Sequence, residues 1–206
     1  MPFVYAFDHK HRRAPKEMKD LLGGKGANLA EMMSVLKLPV PHGFTVTTDA
    51  CRAYMKGGWP KGLDVEIAKS VAALEKKMGR KLGDAADPLL VSVRSGAKFS
   101  MSGMMDTVLN LGLNDKTVAG LAKNSDERFA YDSYRRFISM YGRIVLGLDG
   151  EEFEHELTKA RQAAGAASDA DVPAAALKAL CESYKKIVQV HTGKPFPQDP
   201  VKQLRG

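Results

Sequence analysis

Val91-Ser92-Val93-Arg94-Ser95-Gly96-Ala97-Lys98-Phe99-Ser100-Met101-Ser102-Gly103-Met104-Met105-Asp106-Thr107-Val108-Leu109-Asn110-Leu111 is the stretch on which the reading of this chain turns. An apolar run over 89–94, introduced by Asp87-Pro88 and expected as one strand, ends in an arginine. A long segment of Ser, Gly and Met follows, and a second strand-like run, 107–111, closes it. An ordinary hairpin needs neither so long a loop nor three methionines. Arg94, at a strand end, carries five donors in a planar fork suited to phosphate oxygens. Ser95, Gly96, Ser100, Ser102 and Gly103 can turn N–H groups and hydroxyls onto an anion. Met101, Met104 and Met105 add soft, adaptable apolar surface. The stretch reads as an anion-binding loop between two strands.

Upstream lies Leu21-Leu22-Gly23-Gly24-Lys25-Gly26-Ala27-Asn28-Leu29-Ala30-Glu31-Met32. Three glycines surround one lysine just before a helical run from Gly26 to Leu36, with Leu29, Met32, Met33 and Leu36 on its apolar side. Glycines permit close backbone approach, and a helix start offers N–H groups and a positive dipole end. Lys25 there can reach a phosphate. The pattern is not a Walker A loop, which ends in Gly-Lys-Ser/Thr, and a tight turn with a surface lysine is the competing reading. Further strands are expected over 3–7 and 43–47, the latter entered through Pro41-His42-Gly43. Thr48 is expected to cap a helix over 49–56, and Ile67, Val71, Leu74 and Met78 mark another. Strands interleaved with helices predict an α/β or α+β layer structure.

The second half reads as helical. Tyr134, Phe137, Ile138, Tyr141, Val145 and Leu148 recur at helical spacing, and Phe153, Leu157 and Ala160 mark the next helix. Pro173, at a first-turn position, opens a third with the stripe Leu177, Leu180, Cys181, Tyr184, Ile187 and Val188. Lys194 to Pro200 breaks it. The Tyr134/Phe137/Tyr141 stripe is read as core rather than as a base-stacking surface.

Composition excludes several classes. The 206 residues are 44% hydrophobic and 27% charged, a globular mixture. No run of ~18 apolar residues exists, so no membrane span or membrane partner is expected. No secretory signal precedes the first strand, and two widely spaced cysteines fit a reducing, cytoplasmic setting. The net charge of +7 is dispersed among acidic residues, so a nucleic-acid partner is not expected. A solvated surface accounts for most of the excess, and some cations are free to face an anionic small ligand. The five histidines are scattered without carboxylates at ligand spacing, so no metal site is expected.

In this order the segments resemble the N-terminal part of the pyruvate, phosphate dikinases. The matching stretches are Gly23 to Met32, Pro41 to Thr48, Asp87 to Asp115 and Phe196 to Pro200 with Gln203-Leu204. The related phosphoenolpyruvate synthases share the glycine–lysine turn and an Arg-Ser pair. They usually follow it with an acidic loop rather than Gly103-Met104-Met105-Asp106-Thr107. Ser102 departs from the dikinase pattern, which usually has proline there.

The resemblance implies the N-terminal half of an ATP-grasp-like nucleotide-binding domain with an inserted helical subdomain. Residues 1–113 would form the α/β subdomain, 114–195 the insertion and 196–206 a return segment. It carries the family's lysine over to Lys25, its ATP-binding arginine to Arg94, and its phosphate loop to Ser95, Gly96, Ala97, Ser100, Met101, Ser102, Gly103, Met104, Asp106 and Thr107. ATP and phosphate are the implied partners, and pyruvate would be met only by further domains. Mg²⁺ would be held by residues beyond position 206, and the longer protein would be a homodimer. The phosphorylated histidine lies in a motif this sequence does not contain, so the chain is expected to be a piece of a longer enzyme, inactive alone. A non-catalytic nucleotide-binding or docking fragment, or a phosphoenolpyruvate synthase-like domain, is the alternative.

Overall fold

The computed structural model describes residues 2–96 and 107–206. Ala97, Ser100, Met101, Ser102, Gly103, Met104 and Asp106 lie outside the described residues. The described chain mixes helices with small two-stranded sheets, in line with the α/β expectation, and divides into two compact units. The first comprises 2–79 with 95–96, the second 80–94 with 107–206. These boundaries differ from the segmentation at 113/114, because the strands of the 88–111 region pack with the helices that follow them.

In the first unit, β1 (Val4–Ala6) and β2 (Phe44–Val46) form an antiparallel ribbon with the register Val4↔Val46, Tyr5↔Thr45 and Ala6↔Phe44. Side chains alternate across its two faces. Tyr5 packs with Leu22, Ala27 and Ala30 of helix α1 (Lys19–Ala30). The other face receives helix α3 (Leu63–Met78), whose Glu66 carboxylate accepts the N–H of Phe3 at 2.7 Å and of Val4 at 3.0 Å. Between α1 and α3 in sequence comes α2 (Thr48–Gly57). Its cap is Thr47, not Thr48: the buried Thr47 hydroxyl accepts the N–H of Ala50 at 3.3 Å. Thr48 instead donates to the Asp20 carbonyl, tying α2 to α1.

The apolar side expected for the first helix is not the side that is buried. Leu22, Gly23, Gly26, Ala27 and Ala30 are buried, whereas Leu29, Met32 and Met33 are half-buried and Leu36 is exposed. A Cβ on Gly26 would lie 2.6 Å from Thr45 Oγ1 and 2.8 Å from its Cγ2. That approach is open only to small residues, so the small-residue side wins over the larger apolar one. Beyond Ala30 the helix widens into a π-helical turn over Glu31–Val35.

In the second unit, β5 (Val91–Arg94) pairs antiparallel with β6 (Thr107–Leu111), and β3 (Lys81–Leu82) parallel with β4 (Pro88–Leu89). Helices α4 (Thr117–Asn124), α5 (Glu127–Ile144), α6 (Gly150–Ala163), α7 (Ala174–Thr192) and α8 (Pro200–Arg205) follow. The expected stripes meet in one core: Tyr134, Phe137, Ile138 and Tyr141 of α5 against Phe153 and Leu157 of α6 and Leu177, Leu180, Tyr184 and Val188 of α7. The aromatic stripe of α5 is thus core, as expected. Each such side chain contributes roughly 1.5–3 kcal/mol by leaving water. Pro173 is the N-cap of α7, one position before the expected first turn, and Gly193 at φ 68° ends that helix. The break at Lys194–Pro200 also serves the core. It delivers Phe196, 2% exposed, edge-on to Phe137 at 5.7 Å and Tyr141 at 5.6 Å. Gln203 then accepts the Gly112 N–H at 3.0 Å and donates to the carbonyls of Leu113 at 2.9 Å and Pro197 at 2.8 Å.

Candidate functional site

Gly23 holds φ 68° and ψ 167°, a backbone region open essentially to glycine. This kink interrupts α1, so the helix starts afresh at Gly24 and places Lys25 in its first turn. The glycine–lysine segment is therefore a helix start, as its residue types imply. Gly26 lets that start lie against β2 through Thr45, a contact the sequence reading did not single out. Its only signal was the spacing of Gly23, Gly26, Ala27 and Ala30, three, four and seven residues apart. The Lys25 ammonium donates to the Ser95 carbonyl at 3.3 Å. The structure thus brings Lys25 together with Ser95, and Ser95 and Gly96 are both exposed.

Arg94 and Thr107 belong to the second unit, where they are register partners in the pair of the β5–β6 ladder nearest the connection between the two strands. Arg94 is exposed, and among the described residues its guanidinium has no hydrogen-bond or ion-pair partner. β6 is anchored behind Thr107 by Val108 and Leu111, 5% and 2% exposed. The ladder therefore fixes the backbone of Arg94 while leaving its fork in solvent.

Among the described residues, no three His, Cys, Asp or Glu side chains gather as a metal cage. The two cysteines are free thiols. Cys51 is exposed, and burial pushes the Cys181 thiol up to about 12.

Fold and site together define a mixed helix-and-sheet protein with a lysine-bearing, glycine-rich helix start. The comparisons name the family. Residues 19–59 and 59–184 match the family described as "Pyruvate phosphate dikinase, AMP/ATP-binding domain", and the chain belongs to it. It is 52% identical over 204 residues to "Pyruvate, phosphate dikinase, chloroplastic" of Mesembryanthemum crystallinum, covering 98% of this chain and 21% of that protein. It is 50% identical over 206 residues to "Pyruvate, phosphate dikinase" of Giardia intestinalis, covering 98% and 23%. The chain thus spans about a fifth of the length of these relatives. No helix among the described residues is long and apolar enough to cross a membrane.

Proposed function

We propose that this chain is the ATP-binding portion of a pyruvate, phosphate dikinase. The whole enzyme would convert ATP, pyruvate and phosphate to AMP, phosphoenolpyruvate and diphosphate through a phosphohistidine carried elsewhere. In this reading the chain is part of an ATP-grasp-like fold, with 114–195 as its inserted helical subdomain. Lys25 holds the polyphosphate. Arg94 neutralises charge on the transferred phosphoryl group. The loop formed by Ser95, Gly96, Ala97, Ser100, Met101, Ser102, Gly103, Met104, Asp106 and Thr107 closes over the phosphates. Phosphoryl transfer depends on positioning and charge neutralisation more than on covalent help from the protein. Mg²⁺ would bring its own charge to the phosphates, held by residues outside these 206. A homodimeric, cytoplasmic enzyme completes the reading, and the two free thiols suit a reducing compartment.

The observation that carries the proposal is Lys25. It stands at a glycine-kinked helix start with its ammonium on the carbonyl of the residue that follows Arg94. The test uses the full-length enzyme. Arg94→Lys should abolish phosphorylation by ATP, about 10³-fold or more, and spare the pyruvate half-reaction, because a point charge does not reproduce the bidentate fork. An unimpaired ATP half-reaction in a variant of unchanged melting temperature would end the proposal.

A further inference from the structure

The β1–β2 ribbon has a second face, and it carries an unassigned cleft. Ala6 and Phe44 are register partners and so share a face. With His42 and Gly43 they line one side of a cavity of about 160 Å³, and Lys69, Ser70, Ala73, Leu74 and Lys77 of α3 line the other. Tyr5 and Thr45, the intervening residues, meet α1 on the opposite face. The cleft therefore lies across the ribbon from the helix start that bears Lys25.

Its chemistry is of two kinds. The floor is apolar, made by Ala6, Phe44, Ala73 and Leu74. The polar groups are cations or donors: Lys69, Lys77, His42 and the Ser70 hydroxyl. Among the described residues no Asp or Glu lines it. Among the described residues, the Lys69 ammonium and the Ser70 hydroxyl have no partner. The Ser70 hydroxyl on the cavity wall is thus available to a ligand. Lys77 is partly committed, because Asp8 pairs with it at the rim. That pair holds the Asp8 carboxyl below its ordinary range, chiefly through the hydrogen bond from Lys77.

We infer that this cleft is a binding site for a small organic anion, a carboxylate on an apolar body of a few carbons. The carboxylate would lie against Lys69, Ser70 and Lys77, and the carbon chain on Phe44 and Leu74. A bare oxyanion would use the cations and waste the floor. The volume admits a short-chain acid and is too small for a nucleotide.

The test is a titration of the purified protein with acetate, butyrate and inorganic phosphate, followed by NMR at His42, Ser70, Ala73 and Leu74. Butyrate should saturate at these residues and bind at least about threefold tighter than acetate, since each buried methylene adds affinity. Lys69→Met should weaken butyrate about fivefold or more. Asp8→Asn, which frees Lys77, should tighten it several-fold. Both positions are exposed, so unchanged melting curves establish intact folding. Four results overturn the inference: shifts that never saturate, equal affinity for acetate and butyrate, phosphate binding as tightly as butyrate, or indifference to both variants. Nucleotide binding does not enter this experiment, so its outcome stands apart from the reading of Lys25 and Arg94.

Discussion

Gly26→Ala sets local preference against tertiary contact, and the two predict opposite signs. In a helix, alanine is favoured over glycine by about 0.8–1 kcal/mol. On that ground alone the variant should be more stable. The structure places the new methyl 2.6 Å from Thr45 Oγ1 and 2.8 Å from Cγ2, well inside contact distance. Thr45 cannot simply move, because its strand is paired to β1 through Tyr5. Such overpacking costs about 1–3 kcal/mol. The expected net effect is a loss of about 0.5–2 kcal/mol from the first unit. Urea unfolding followed by Trp59 fluorescence measures it, since the chain's single tryptophan lies in that unit. Thr45→Ala removes both clashing atoms, so the double variant should recover the loss, with a coupling of about 1 kcal/mol or more. A Gly26→Ala protein as stable as the parent would refute the close α1–β2 approach and with it the placement of Lys25.

Gln203→Leu should cost the second unit about 3–5 kcal/mol, because it orphans the Gly112 N–H and the Leu113 and Pro197 carbonyls at 1–3 kcal/mol per buried group. A urea midpoint close to the parent's would count against that clamp. In the native protein an alkylating reagent should modify Cys51 and spare Cys181, whose thiol burial holds neutral, while both react in urea; rapid native labelling of Cys181, read by mass spectrometry, contradicts this. Asp8, Asp84 and Asp171 are held below the ordinary 3.8 by hydrogen bonds, from Lys77, from the N–H groups of Asp87 and Ala86, and from Ser168. Folded-state values below unfolded ones stabilise the fold above pH 3.8 and lose that contribution as pH falls through the lowered values. Melting temperature should therefore hold down to about pH 4 and drop below it, and Asp84→Asn with Asp171→Asn should flatten the drop. Steady turnover of ATP, pyruvate and phosphate by the 206-residue chain alone should be absent, since it spans about a fifth of its relatives; sustained product above blank would overturn the domain assignment.

Periodicity and punctuation made the elements legible in the sequence. The strands at 4–6, 44–46, 91–94 and 107–111 and helices α6 and α7 lie within the expected segments, because alternation and 3.6-residue spacing record burial along a single element; α5 instead spans Glu127–Ile144, and Val145 and Leu148 of its expected stripe pack on the core from beyond its end. The strand end at Arg94 and the glycine-framed helix start at Lys25 were legible too, since each depends on local sequence. Tertiary structure alone decided which side of α1 is buried, because that choice rests on the approach of Gly26 to Thr45 nineteen positions away. It also decided that Thr47 rather than Thr48 caps α2. Thr48 is drawn off by the Asp20 carbonyl, a partner no local pattern announces. The grouping of β5 and β6 with the helices, and the cleft between Phe44 and Lys69, arise in the same way. Each is a packing of faces from distant segments, and a linear sequence encodes each face without encoding which partner it meets.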